Sequence, residues 1–181
     1  ANGDQATDDD RYDAMKAAAE GGAKVIVAAG FMQATALTKA AAEFTDVKFV
    51  FVDRDSAVTT EDGTALKNVL GICFQEEQCG YLAGYAVVKE GYTKLGFTGG
   101  GGGDNPACCR YGYGFVQGVD AAAADLGLTD VKLNYIYGGQ FFGDADITAV
   151  MDTWYAGGTE VVFACGGGIY TFAVDAAKKA N

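Results

Sequence analysis

The chain has 181 residues, half of them apolar, with 24 acidic against 13 basic side chains, no histidine and a formal charge of -11. That size and apolar content allow a buried core, as one large domain or two small lobes. A surface this negative, with no basic run longer than Lys178-Lys179, repels phosphate backbones and anionic headgroups and argues against nucleic-acid or membrane-surface partners.

Asp8, Asp9 and Asp10 precede a helical pattern over Arg11–Glu20, with Tyr12, Met15 and Ala19 on one face, and acidic residues suit the first turn of a helix. Gly21-Gly22 end it, and Ala23–Ala29 reads as a short buried strand closed by Gly30-Phe31. Gln33–Phe44 is helical, Val47–Val52 a second buried strand ending at Asp53, Arg54–Ala65 a polar loop and Val69–Phe74 a third strand. Gln75, Glu76 and Glu77 open a helix with Leu82, Tyr85 and Ala86 on one face and a small-residue edge at Gly80 and Gly84; Gly91 ends it. Strand Leu95–Thr98, helix Ala107–Leu126, strand Val131–Ile136, helix Ile147–Tyr155, strand Glu160–Ala164 and a helix from Gly168 to about Lys179 complete the chain. Strands alternate with helices throughout, which predicts an α/β class with parallel sheets.

One internal match divides the chain. Gly21–Gly30 (GGAKVIVAAG) aligns with Gly157–Gly166 (GGTEVVFACG) at an offset of 157 − 21 = 136, each between two helices. The pattern predicts two related lobes, 1–91 and 92–181, the first lacking an opening strand and helix and the second its last strands.

No apolar run is long enough to span a bilayer, and Ala1 opens a polar segment, so the chain reads as cytosolic or as lacking its targeting end. Cys73, Cys79, Cys108, Cys109 and Cys165 are odd in number and widely spread; without histidine or a C-x-x-C pair they read as small core residues. No dinucleotide fingerprint, P-loop or nucleophile elbow is present, and neither cofactor nor metal is expected.

Residues 99–103 are five consecutive glycines between a strand and a helix, followed by Asp104, Asn105 and Pro106. Such turns lie at the carboxyl ends of parallel strands, where glycine lets the main chain approach a ligand; a flexible loop is the competing reading. Asp53, at a strand's carboxyl end, is a candidate contact for a ligand hydroxyl. Phe141 and Phe142, in a Gly-rich turn, and Phe31 in the first lobe are candidate stacking rings, although at least one of the three closes a sheet end. Gly166, Gly167 and Gly168 open the last helix with N–H groups able to meet a ligand oxygen. The adjacent Glu76 and Glu77 diverge on a helix and read as helix-terminus residues, not paired acids.

The run NVLGICFQEEQCGYLAGYAV (Asn68–Val87) resembles the F-x-E-E-x-x-x-Y-L-A-G segment of the basic membrane protein family, the PnrA-like solute-binding lipoproteins of ABC transporters. VIVAAGF, DVKFVFVD, KLGFTGG, RYGYGFVQG and EVVFACGGG are similar to that family's other landmarks, in order. The resemblance implies a type I periplasmic-binding-protein fold: two doubly wound parallel-sheet lobes joined by a hinge, here incomplete at both termini. It implies a purine nucleoside held in the interlobe cleft between aromatics, its ribose held by carboxylate and lysine groups. Phe141, or Phe142 if the loop shifts by one, matches the family's ring, and Gly166 and Gly167 its glycine pair; Phe31, Asp53 and Asn105 complete the expected ligand-binding set. Phe142-Gly143-Asp144 stands where the family usually has Asn-Asp after the ring, and the five glycines and Cys108-Cys109 replace a more apolar turn. The implied partners are a small-molecule ligand and an ABC permease, with a membrane contact only through a lipid anchor outside this chain, on the extracytoplasmic cell surface. No catalysis is implied. The rival functions are the ligand-sensing effector domain of a transcription regulator, which needs a basic DNA-binding segment upstream, and a cytosolic nucleoside-acting enzyme.

Overall fold

The computed structural model describes residues 6–54 and 58–180. It divides into two compact units, with the boundary between Phe74 and Gln75.

The first unit opens with α1 (Asp8–Glu20). Thr7 caps it reciprocally: its hydroxyl accepts from the Asp10 N–H at 3.1 Å, and the Asp10 carboxylate accepts from the Thr7 N–H at 2.8 Å. β1 (Val25–Ala29), a 3-10 turn (Phe31–Gln33), α2 (Ala34–Glu43), β2 (Lys48–Val52) and β3 (Val69–Ile72) follow. The strands are parallel in the order β1-β2-β3, with Val27, Val50 and Leu70 in one row and Ile26, Phe49 and Val69 in the next. Because strand residues alternate, the second row and Ala28 and Phe51 face one way. There they meet Tyr12 and Met15 of α1 and Leu37, Ala40 and Ala41 of α2 in one core. Buried Asn68 ties the layers, its amide donating at 3.0 Å to the carbonyls of Ala41 and Val47. The polar segment 54–65 carries one isolated antiparallel bridge, Thr59 to Ala65; its residues 55–57 lie outside the described ones.

The second unit contains α3 (Glu76–Lys89), β4 (Lys94–Gly99), α4 (Pro106–Leu126), β5 (Lys132–Tyr137), α5 (Ala145–Ala156), β6 (Val161–Cys165), a 3-10 turn (Gly167–Ile169) and α6 (Tyr170–Ala180). All three strands are parallel, in the order β5-β4-β6. On one face Leu95, Phe97, Leu133, Val161 and Phe163 pack with Phe115 and Val119 of α4. On the other, Ile136, Val162 and Ala164 pack with Ile147 and Met151 of α5 and Ala173 and Ala176 of α6. This is the doubly wound arrangement expected of the class. Among the described residues no helix is long and apolar enough to cross a membrane.

Two expectations require correction. Helix α3 belongs to the second unit, so residues 75–91 do not extend the first lobe as the 1–91 boundary had it. The reason is its glycine edge: a Cβ on Gly80 or Gly84 would run into the main chain of α4 at Tyr111 and Phe115, and one on Gly114 or Gly118 into α3 at Glu77 and Tyr81. The helices therefore touch backbone to backbone, and the expected apolar face of α3 is split: Leu82 is exposed, whereas Tyr85 packs half-buried against the core. Of the five cysteines read as core residues, Cys73 and Cys79 are exposed and only Cys108 is fully buried.

The internal match holds at the level of hydrogen bonds. Gly21, Gly22 and Ala23 donate to Ala17, Ala19 and Ala18 at 2.9, 3.0 and 3.0 Å; Gly157, Gly158 and Thr159 donate to Thr153, Tyr155 and Trp154 at 2.9, 2.9 and 3.0 Å. Gly22 and Gly158 have φ of 95° and 90°, a left-handed turn that glycine adopts without steric cost. Each copy then runs strand, positive-φ glycine, 3-10 turn, helix.

Candidate ligand-binding site

Three glycine-bearing turns meet at the carboxyl edge of the second unit's sheet. Gly100 N–H donates to the Cys165 carbonyl at 2.7 Å, Gly138 to Gly99 at 2.8 Å and Gly139 to Gly101 at 2.8 Å, so the strand ladder continues into the turns. Gly99, Gly100 and Gly101 are thus anchored by main-chain bonds, while Gly102 and Gly103 are hydrogen-bonded, among the described residues, only by the side chains of Asp104 and Cys109. Phe141 lies against this floor: a Cβ on Gly100 would sit 2.5 Å from the Phe141 ring, and one on Gly101, at φ 70°, 3.3 Å from it. The run lacks side chains where the ring occupies their space. Gly168 N–H donates to the Phe141 carbonyl at 3.0 Å, tying the ring's backbone to the turn after β6.

Gly166 and Gly167 form that turn, at φ 147° and 53°. Phe141, Gly166 and Gly167 are therefore brought together, with Gly166 packed against Gly100. Phe142 is next along the turn and 65% exposed. Asn105 stands at the start of α4 as its cap, its side-chain oxygen accepting from the Cys108 N–H at 3.0 Å ahead of Pro106. Asp144 caps α5 in the same way, accepting from Ile147 at 2.9 Å, and also accepts from the Gln140 amide.

The Cys165 thiol is pushed far up by its hydrogen bond with Cys108 and by burial. Tyr137 is raised by burial and by the Tyr135 hydroxyl, 2.9 Å away. A phenyl ring on a glycine floor can stack a flat polar solute. Among the described residues no group of three or more His, Cys, Asp or Glu side chains is placed to hold a metal ion.

In the first unit, Phe31 and Asp53 lie at the corresponding edge. Phe31 begins the 3-10 turn after Gly30, whose N–H donates to Val52 at 3.0 Å. Asp53 follows β2 with its N–H on the Ile72 carbonyl at 2.8 Å. At φ 78° Asp53 is the sole non-glycine residue with positive φ among those described, a strained position of the kind that gathers at ligand sites. No sequence signal marked that strain, since Asp is common in plain loops. Sequence reasoning also missed the Arg110–Glu76 ion pair at 2.7 Å, which joins α4 to α3 with Glu76 almost fully buried. Its signal was the spacing of two motifs, which only the helix pairing brings together.

The profile of the family described as ABC transporter substrate-binding protein PnrA-like matches residues 1–181. The ABC transporter nucleoside-binding protein BmpA of Lactococcus lactis is 31% identical over 161 residues, 88% of this chain and 42% of that protein. Basic membrane protein B of Borrelia garinii is 29% identical over 160 residues, 87% of this chain and 44% of that protein. The chain thus spans less than half the length of these relatives. Among solved structures, a solute-binding protein of an ABC transporter system from Aeropyrum pernix superposes with a TM-score of 0.72 at 22% identity, over 96% of this chain and 47% of that one. A transcriptional activator of the comK gene from Bacillus halodurans reaches 0.69 at 18% identity, over 96% of this chain and 55% of that one. The fold is that of periplasmic binding proteins, shared by transporters and regulators alike, whereas the profile separates them: the chain belongs to the PnrA-like family of ABC transporter substrate-binding proteins.

Proposed function

We propose that this chain carries ligand contacts of an extracytoplasmic solute-binding subunit of an ABC importer, and that the solute is a purine nucleoside. The observation that carries the reading is Phe141 seated on a glycine floor at the carboxyl edge of a parallel sheet, with Phe142 exposed beside it. A flat base stacks on such rings, while N–H groups around Gly166 and Gly167 meet its oxygens. The L. lactis relative is named a nucleoside-binding protein, which agrees with a flat polar ligand. In the first unit, Phe31 and Asp53 are proposed ligand contacts, Asp53 through a sugar hydroxyl. The role requires no bond to be made or broken; capture and delivery to a permease suffice.

The test is thermal unfolding and calorimetry of the chain with nucleosides, free sugars and amino acids. A purine nucleoside at a hundred times its dissociation constant adds about 2.7 kcal/mol to stability. Phe142→Ala weakens that binding tenfold or more and leaves unliganded melting unchanged, because the ring is exposed. Stabilisation by a sugar or amino acid, with none by any nucleoside, overturns the reading.

A further inference from the structure

We propose that Cys108 and Cys165 are a disulfide-forming pair that staples the first turn of α4 to the end of β6, beside the glycine floor. The two stand 57 positions apart in the chain and meet in one space. Cys108 is on the buried face of α4, at 5% exposure. Cys165 ends β6 and, like Phe163 two residues before it, packs into the core beneath α4 with Phe97 and Phe115.

Cys108 Sγ lies 3.7 Å from the Cys165 carbonyl oxygen, and the two thiols are hydrogen-bonded to each other. A disulfide sets its sulfurs about 2.0 Å apart, so the pair has only to close from that contact. The remaining cysteines are placed differently. Cys109 is next on the helix, where adjacent side chains diverge, and its thiol donates to the Gly103 carbonyl at 3.1 Å. Cys73 and Cys79 are exposed and belong to different units.

The position gives the bond its consequence. Cys165 leads directly into Gly166, which packs on Gly100, and the run 99–103 leads through Asn105 and Pro106 into the turn that bears Cys108. A bond between them holds both sides of that floor and closes a long loop, which stabilises the folded chain by restricting the unfolded one.

The oxidant is a small disulfide. One cysteine thiolate attacks it, giving a mixed disulfide and one released thiol; the second cysteine then attacks the protein sulfur of that mixed disulfide and displaces the other thiol. The chain loses two electrons and two protons, and the reagent leaves as two thiols. In the folded unit the Cys165 thiol is pushed up by its bond with Cys108 and by burial, which favours exchange while the chain is still folding. The setting rests on the extracytoplasmic reading above, since disulfides form and persist outside the cytosol.

The test refolds the chain from urea in a buffer of oxidised and reduced glutathione, blocks remaining thiols with iodoacetamide and maps linked peptides by mass spectrometry, with no nucleoside present. A link between Cys108 and Cys165 is expected in the chain and in Cys109→Ser, and none to Cys165 in Cys108→Ser. The refolded chain is expected to melt about 10 °C above the same chain treated with a phosphine reductant, and Cys108→Ser and Cys165→Ser lose that difference. Absence of the link, a link to Cys165 that persists in Cys108→Ser, or equal melting of the oxidised and reduced chains overturns the proposal. Nucleoside binding enters none of these readings, so the bridge and the nucleoside reading fail separately.

Discussion

Among the described residues each unit holds a sheet of three parallel strands, yet the two sheets are clothed differently. In the second unit α3 and α4 lie to one face and α5 and α6 to the other, and Phe97 and Met151, on opposite sides of the sheet, are both fully buried. In the first unit α1 and α2 both cover the face that carries Phe49 and Phe51. The opposite face leaves Val25, Val27 and Leu70 57%, 65% and 58% exposed. Parallel strands rich in valine and leucine are normally buried on both sides. The same apolar strand composition therefore stabilises only when a helix layer is there to receive it. The lesson is that strand sequence specifies readiness for burial, and the neighbours decide whether burial occurs.

The largest test of this contrast removes a core ring from the two-sided sheet. Phe97→Ala deletes a ring packed on Phe115, Tyr135 and Phe163 and is expected to cost about 4 kcal/mol in urea unfolding. Gly84→Ala follows at about 3 kcal/mol, because α3 and α4 must separate to admit one methyl group, whereas Gly22→Ala, with open space around it, meets only backbone strain of about 1 kcal/mol. The contrast itself is sharpened by a pair: Met151→Ala should cost about 3 kcal/mol and Val27→Ala less than about 0.5 kcal/mol. A Val27 cost near that of Met151 would show that its face is covered in solution, and the difference between the sheets would be gone.

The smallest effects are pH limbs that mark the units separately. Glu160 accepts from Lys94 and Thr93, each at 2.9 Å, which holds its carboxyl below the ordinary 4.5. Its folded value is the lower one, so its support for the second unit is present above pH 4.5 and lost as pH falls through the folded value. Tyr12 donates to Glu43 and is pushed up to about 12, so its support for the first unit is complete below the ordinary 10 and lost as pH rises through 12. Glu160→Gln should flatten the acid limb of amide exchange in β4, and Tyr12→Phe the alkaline limb in α1. An unchanged limb in either variant would remove that group from the account.

Much of the fold is legible in the sequence. Val25–Ala29 stands within its expected strand, Val161–Cys165 overlaps the expected Glu160–Ala164 and runs one residue past it, and the glycine pairs at 21–22 and 157–158 end helices in both copies. These features follow from local chemistry: an apolar run seeks burial, and a left-handed turn accepts glycine most easily. The site was legible as far as residue type, since glycine runs and the Phe141-Phe142 turn stand out in sequence. That the Phe141 ring fills the space left by the missing side chains of Gly100 and Gly101 depends on two turns 40 residues apart meeting in space, as 141 − 101 shows.

What the sequence determined by itself, then, is the alternation of strands and helices, their parallel class and the family motifs, because each rests on spacing within one segment. Only the tertiary structure assigned α3 to the second unit, turned Leu82 outward, exposed Cys73 and Cys79 and left one face of the first sheet open. Burial is a property of pairs of surfaces. A glycine edge on α3 predicts close packing, but which helix comes close is settled only where the matching edge of α4, at Gly114 and Gly118, lets two backbones touch.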